Sequence, residues 1–359
     1  MKIITVIGAR PQFIKAATVS RILREKKYKG VVEEVIVHTG QHYDKNMSDN
    51  FFDELKINTP KYNLSVGSCS HGRQTGAIMS SLEDVVESEN PDWILVYGDT
   101  NSTLAAALVA AKKPCRLAHV ESGLRSYRWG LPEETNRVVV DRLSDILFCP
   151  TVLAQENLLA EGHNKNVIFT GDVMYDSFVR YNKAINHSSV MHEYNISVGT
   201  YVLTTIHRAD NTDNKKNLAS ILSELRSIAK KNEVILSLHP RTKKMIEHFS
   251  ISLKGIRVIK PIPYLTMISF VINAKAVITD SGGIQKEAYF SKTPCFTIRD
   301  ETEWVETLEG GWNQLVTPNN IFRAVDNLDM NKYSDTLYNY HYGSGDAAKI
   351  VVNSILNFS

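Results

Sequence analysis

The sequence is short of the features that assign a protein quickly. Its 359 residues hold four cysteines, Cys69, Cys115, Cys149 and Cys295, and none forms a CxxC pair. Each stands alone among apolar or small residues. That pattern argues against a disulfide framework or a thiolate metal site, and for buried free thiols in a reducing compartment, the cytoplasm. No apolar run reaches the roughly 18–20 residues of a membrane span, so no membrane insertion is expected. Residues 1–7 carry one lysine and run straight into Gly8-Ala9-Arg10-Pro11, which reads as a strand rather than a secretory signal. An excess of one charge is missing too. Lys+Arg 41 against Asp+Glu 39 leaves a net charge of +2, without the basic surplus that a nucleic-acid partner favours. GxGxxG and GxxxxGK[ST] are absent, and no HxH, HExxH or histidine–carboxylate cluster has ligand spacing. No cofactor and no metal are therefore expected.

What is present is an ordinary globular composition, 43% hydrophobic and 22% charged, in a length that suits two domains. Short, continuous apolar runs at 3–7, 31–38, 93–97, 116–120 and 146–149 are each closed by Gly, Asp, Glu or Pro. Between them, 12–25, 73–87, 103–112 and 133–143 have helical periodicity. The alternation resumes with strands at 202–206, 234–238, 257–259, 276–279 and 295–298, and helices at 216–230, 265–273 and 284–290. The polar stretch 181–199 reads as a hinge or linker, and 346–358 as a final amphipathic helix. Such alternation predicts an α/β fold of two doubly wound parallel-sheet domains. Ligands then bind at the carboxyl ends of the strands, here facing a cleft between the domains.

Polar residues gather at those strand ends. Arg10 and Lys15 flank a helix start opened by Gly8 and Pro11, a place that favours anions. Asp99 follows the third run and Glu121 the fourth, so both fall at the mouth of the sheet. Glu133, in the first turn of a helix, could turn toward the same mouth. Three carboxylates with Arg125 and Arg137 nearby suit acid–base chemistry, though capping and structural ion pairs explain them too. In the second half His207-Arg208 and His239-Pro240-Arg241 follow strands, which suits an anionic ligand. Thr279-Asp280-Ser281-Gly282-Gly283 joins a strand to a helix, offering free N–H groups and a hydroxyl to a phosphate. Glu287, one turn on, could reach a ribose. An ordinary N-capped turn is the plainer alternative.

In chain order, the segments GARPQFIK, GQHYDKNM, GDTNSTLA, HVESGLRS, PEETNR, TIHRADN, HPRTKK, TDSGGIQKEA and RDETEWVET resemble those of the non-hydrolysing UDP-N-acetylglucosamine 2-epimerase family. The resemblance implies a GT-B-like fold. Its first domain would span 1–172 and be joined by the C-terminal helix 345–359; a nucleotide-binding domain would span 173–344. It implies Asp99, Glu121, Glu133 and His207 as catalytic. Arg10, Ser281, Gly282 and Gly283 would meet the diphosphate, Glu287 the ribose, and Lys15 and Arg137 would also serve the substrate. The uracil would lie near 261–265. The reaction implied is elimination of UDP to a 2-acetamidoglucal and its re-addition, in a cytoplasmic homodimer that supplies polysaccharide precursors. Gln41, Arg73, Arg208 and His239 would surround an activator site. Thr302-Glu303-Trp304-Val305-Glu306 and Trp312 depart from the family's usual segment and resemble the subgroup acting on UDP-2,3-diacetamido-2,3-dideoxyglucuronic acid. For that substrate, Arg125, Arg128 and Arg299 are candidate partners of the C6 carboxylate, or else they hold structural pairs. A GT-B glycosyltransferase is the more distant alternative.

Overall fold

A computed structural model describes residues 1–40, 54–333 and 338–358. The chain divides into two compact units, Met1–Val179 with Tyr340–Ser359, and Arg180–Asn339. Among the described residues the first unit carries β1 (Lys2–Ile7), β2 (Glu33–His38), β3 (Tyr62–Asn63), β4 (Trp93–Tyr97), β5 (Arg116–Val120), β6 (Ile146–Cys149) and β7 (Val167–Phe169). Their order is β3-β2-β1-β4-β5-β6-β7, and every pairing is parallel. The second unit carries β8 (Tyr201–Thr205), β9 (Glu233–Ser237), β10 (Arg257–Ile259), β11 (Ala276–Thr279), β12 (Cys295–Ile298) and β13 (Asn313–Val316). Their order is β10-β9-β8-β11-β12-β13, again wholly parallel. Both are doubly wound sheets, as the alternating pattern predicts.

Strands covered on both faces must be apolar throughout, and β4, Trp-Ile-Leu-Val-Tyr, is buried at every position. On one face of the first sheet, Leu82, Val85 and Val86 of the helix His71–Glu89 and Ala106 and Ala107 of the helix Asn101–Ala110 pack with Ile4, Val6, Ile94 and Val96. The first of these helices stops at Asn90, a left-handed residue with φ 45°, and the second starts from Thr100, whose hydroxyl accepts the Thr103 N–H. In the second unit the apolar stripe of Lys215–Ile228 (Leu218, Ile221, Leu222, Leu225) covers Val202, Val234, Leu236 and Ile278.

In each sheet the winding reverses between the strand that starts the unit and the fourth strand of its order: between β1 and β4, and between β8 and β11. Loops diverge there and leave a crevice at the carboxyl ends. The segments 8–15, 98–101, 206–211 and 280–283 all leave strands at these two points.

One expectation is corrected and another is filled in. The stretch 181–199, read as a hinge or linker, begins just after the change of unit between Val179 and Arg180 and holds the end of the helix Val173–Ala184 and the helix His187–Glu193, which Asn186 caps. Its polar residues face outward while Met191 is buried. Cys69 is exposed rather than buried, whereas Cys149 and Cys295 are buried free thiols. No helix among the described residues is long and apolar enough to cross a membrane.

The last helix, Ala347–Leu356, belongs to the first unit. Its first N–H groups, at Ala347 and Ala348, donate to the carboxylate of Asp176 at 3.1 and 2.8 Å. Tyr28 donates to Asn353 at 2.6 Å, and the Phe358 ring packs edge-on against Trp93.

Candidate active site

In the first unit the site is built on the β1 turn. No Ser, Thr, Asp or Asn caps the helix Arg10–Leu23, whose N-cap is Ala9; the side chain of Gln12 does the work instead. Its Oε1 accepts from Gly8 and Ala9 N–H at 2.8 and 3.0 Å, as the third helical residue does in a capping box. Its Nε2 donates to the Tyr97 carbonyl and to the hydroxyls of Thr100 and Thr103 at 2.8, 3.0 and 2.9 Å. One buried carboxamide thus ties the Arg10 turn to the Asp99 turn. The sequence reading missed it, because a glutamine after Arg-Pro carries no mark of the strand it reaches.

Lys15, one turn into the helix, is buried and forms an ion pair with Glu121, itself 9% exposed. Glu121 stands at φ 73° just beyond β5, in the left-handed region that glutamate rarely adopts. Such strain, of order 1–3 kcal/mol, persists only where the surroundings enforce it, and functional sites are where it concentrates. Its N–H and that of Ser122 both donate to the Phe148 carbonyl at 3.1 Å. Gly98, at φ 61°, lies directly alongside. A methyl group there would come within 3.2 Å of Glu121 Oε1 and 3.3 Å of Lys15 Nζ.

Asp99 pairs with Arg137, whose other amino group lies 3.2 Å from Glu134. Asn136 donates to the Asp99 carbonyl at 2.8 Å. The helix Pro132–Leu143 buries Glu134, Arg137 and Asp141 at positions i, i+3 and i+7. This is a charged stripe where a structural helix would bury an apolar one. Glu134 is the structural member of its pair: it accepts the N–H groups of Ser126 and Tyr127. Glu133 is exposed, with no hydrogen bond or ion pair among the described residues. Arg10 is half-buried at the head of its helix.

In the second unit Asp280 joins the ends of β8 and β11. Fully buried, it accepts the N–H groups of His207 and Arg208 at 3.0 and 2.9 Å and the Asn211 amide at 3.1 Å. The His207 ring turns its Nδ1 to the same carboxylate at 3.2 Å. His239, N-cap of the helix Pro240–Phe249, lies 5.4 Å from the His207 ring, centroid to centroid. Ser281 is the N-cap of Gly282–Phe290, its Oγ accepting the Ile284 N–H. Gly282 and Gly283 open that helix. Glycine at 282 answers a close approach: a Cβ there would meet Glu303 Oε1 at 3.0 Å and Trp304 Nε1 at 3.4 Å. Glu287 is buried one turn on.

The structure brings Arg10, Lys15, Asp99, Glu121 and Arg137 together in the first unit, and His207, Arg208, His239 and Ser281 at the strand ends of the second. Of the expected activator set, Arg73 is exposed in the first turn of its helix in the first unit, and Gln41 lies outside the described residues. Trp304 and Trp312 are both 4% exposed. Lys286 Nζ sits 3.6 Å over the Trp304 ring, and Trp312 packs on Tyr333 and Tyr338. Of the arginines proposed for a C6 carboxylate, Arg125 pairs with Asp141 and Glu161, and Arg299 with Glu303 at 2.7 Å. Burial opposes the charge on Glu303, but Arg299 holds its carboxyl below the usual range.

Two doubly wound units, one with carboxylates set against cations at its strand ends and the other with an anion-ready helix start, define the GT-B-like class of nucleotide-sugar enzymes. The chain belongs to the UDP-N-acetylglucosamine 2-epimerase family, whose model matches residues 24–356, and it is accordingly an isomerase. A UDP-N-acetylglucosamine 2-epimerase homolog of Methanococcus maripaludis is 47% identical, over 99% of this chain and 100% of its own. The UDP-2,3-diacetamido-2,3-dideoxy-D-glucuronate 2-epimerase of Pseudomonas aeruginosa is 46% identical over 88% of each chain. The crystal structure of the Methanocaldococcus jannaschii UDP-GlcNAc 2-epimerase, in complex with UDP-GlcNAc and UDP, superposes with a TM-score of 0.90 at 39% identity and covers 100% of both chains.

Proposed function

We propose that this protein interconverts UDP-N-acetylglucosamine and UDP-N-acetylmannosamine without hydrolysis. The observation that carries the reading is the unlike housing of two carboxylates on neighbouring strand ends: Glu121 sealed against Lys15, and Asp99, a quarter exposed (25%), against Arg137. Inverting C2 of the sugar needs a base on one face and an acid on the other, and differently housed carboxylates supply such pairs.

In the proposed sequence the C2 proton passes to a carboxylate, the C2–H electron pair forms the C1–C2 double bond, and the C1–O bond breaks to release UDP. UDP then re-adds at C1 while C2 takes a proton from the opposite face. Asp99, Glu121 and Glu133 would share the proton transfers, with Lys15 and Arg137 stabilising the ionised forms. Arg10, His207, Ser281, Gly282 and Gly283 would receive the charge that develops on the diphosphate, and Glu287 the ribose. The reading takes the enzyme as a cytoplasmic homodimer feeding polysaccharide synthesis.

Incubation with UDP-N-acetylglucosamine alone in deuterated water tests it. Deuterium at C2 and the appearance of the manno epimer, followed by NMR, are expected. Release of free sugar, or no exchange without an acceptor, overturns the reading.

One observation favours the diacetamido uronic acid as substrate. Besides the 46% identity to the Pseudomonas enzyme, Arg299 Nη1 is buried with no hydrogen-bond partner among the described residues, although the same guanidinium pairs with Glu303. A buried N–H left unpaired costs about 1–3 kcal/mol, which a bound carboxylate would recover.

A further inference from the structure

We propose that His119 is a positioning residue whose two ring N–H groups fix the turns bearing Asp99 and Glu121; this rests on the proton-transfer reading above. His119 lies inside β5 with no exposed surface. Its Nε2 is 2.8 Å from the Gly98 carbonyl, which has no proton to give, so Nε2 carries one. Its Nδ1 is 2.7 Å from Asp141 Oδ1. The other oxygen of Asp141 accepts from Arg125 Nη1 at 2.7 Å and from the Gly123 N–H at 3.1 Å.

Burial alone would push the Asp141 carboxyl up, yet the hydrogen bond from His119 and the charge of Arg125 hold it below the usual carboxylate range. The carboxylate is therefore ionised, and the second proton resides on the ring. Both ring nitrogens donate, and the ring is an imidazolium. Arg125 in turn grips the exposed Glu161 through two bonds of 2.6 Å, so the charges of the four-residue network balance.

The consequence lies in what the two N–H groups hold. One fixes the carbonyl of Gly98, directly before Asp99. The other fixes Asp141, which secures Gly123, two residues after Glu121. Glu121 holds φ 73°, a strained conformation for glutamate that needs an external tie, while glycine at 98 and 123 takes 61° and 79° without strain and lets both turns reach their ties. The groups facing His119 are Asp141 from the helix Pro132–Leu143 and Arg125 from the segment after β5. Beyond Gly98 stands the Lys15–Glu121 pair. Cys149 on β6 contacts Ser122; burial pushes its thiol up to about 12, so it stays neutral.

The ring's charge is read directly from the wild-type enzyme with 15N-labelled histidine. One ring is expected to show both N–H signals in the folded enzyme, and a ring with a single N–H in that position overturns the proposal. The positioning role is read with His119→Gln, which keeps a donor but removes the charge. The expected result is a kcat reduced about 10-fold or more, with KM within about 3-fold. The acid limb of kcat/KM should move to higher pH, because losing a nearby cation makes the carboxylates harder to ionise. A wild-type kcat and an unmoved limb overturn it. If His119→Gln does not fold, Asp141→Asn, which takes away the acceptor of the Nδ1 proton, must leave that ring with a single N–H in the 15N spectrum; a ring that keeps both overturns the proposal. If instead Asp99→Asn and Glu121→Gln exchange the C2 hydrogen at the wild-type rate, the proton-transfer reading falls while the histidine spectrum still stands.

Discussion

Asp280 holds His207 at two points, the ring Nδ1 at 3.2 Å and the backbone N–H at 3.0 Å, across the reversal point of the second sheet. Ring and main chain are thereby fixed by one buried carboxylate. If His207 works through that orientation, the two residues are not independent. Asp280→Asn is expected to lower kcat nearly as far as His207→Asn, and the double variant to be little worse than either. A double-mutant cycle on kcat checks this. Additive losses would mean that Asp280 supports only the loop.

The three carboxylates should separate by stability as well as by rate. Asp99→Asn, Glu121→Gln and Glu133→Gln are each expected to lower turnover by about 10²–10⁴. Glu121→Gln leaves the Lys15 ammonium buried without its counter-charge, a loss of about 3–5 kcal/mol. Arg137 keeps Glu134 when Asp99 is replaced, so that loss is smaller. Glu133 is exposed, and its replacement should leave the melting temperature unchanged. Calorimetry on the three variants gives the order. Adding Lys15→Met to Glu121→Gln should restore stability without activity.

Asp176 sets a pH dependence. Burial raises its carboxyl from 3.8 to about 6, against the two helix N–H groups that favour its charge. The folded value lies above the unfolded one. Its contribution is therefore complete below about pH 3.8 and is lost as pH rises through about 6. The loss is on the order of 3 kcal/mol. Urea midpoints should fall across that window, and the slope should flatten in Asp176→Asn. A midpoint that climbs there would show that helix capping outweighs burial.

The proposed role of Arg299 is read from substrate choice. If UDP-N-acetylglucosamine is the substrate, Arg299→Lys should leave the ratio of kcat/KM for the two UDP-sugars unchanged. If the uronic acid is preferred by about 10-fold or more, the same change should reduce that preference, because lysine lacks the planar fork. Side-by-side kinetics decide.

The sheets were legible because parallel strands buried on both faces must be continuously apolar, as 93–97 and 276–279 are. Edge strands lack that constraint: Tyr62–Asn63, Val167–Phe169 and Asn313–Val316 passed unseen, and of the four edges among the described residues only Arg257–Ile259 was read. So did the helix Pro240–Phe249, which buries only Thr242 and Ile246. At the site, residues that end strands announced themselves by their charge. Gln12 and Asp141 did not, because Gln12 reaches across to Tyr97, Thr100 and Thr103, 85 residues or more away, and Asp141 reaches back 16 to 22 residues to Arg125, Gly123 and His119. His119 read as one more member of a buried strand.

The return of the last helix to the first unit gives the chain an order of dependence unlike its order of synthesis. The stretch 180–339 is complete in sequence when it has been made. The first unit, begun earlier, still waits for the residues after 340 to occupy Asp176, Asn353's partner Tyr28 and the edge of Trp93. A ribosome that stalls between residues 340 and 356 would therefore release a chain whose unit 180–339 is finished and whose earlier-made unit is not. The helix Ala347–Leu356 audits the quality of the unit begun first.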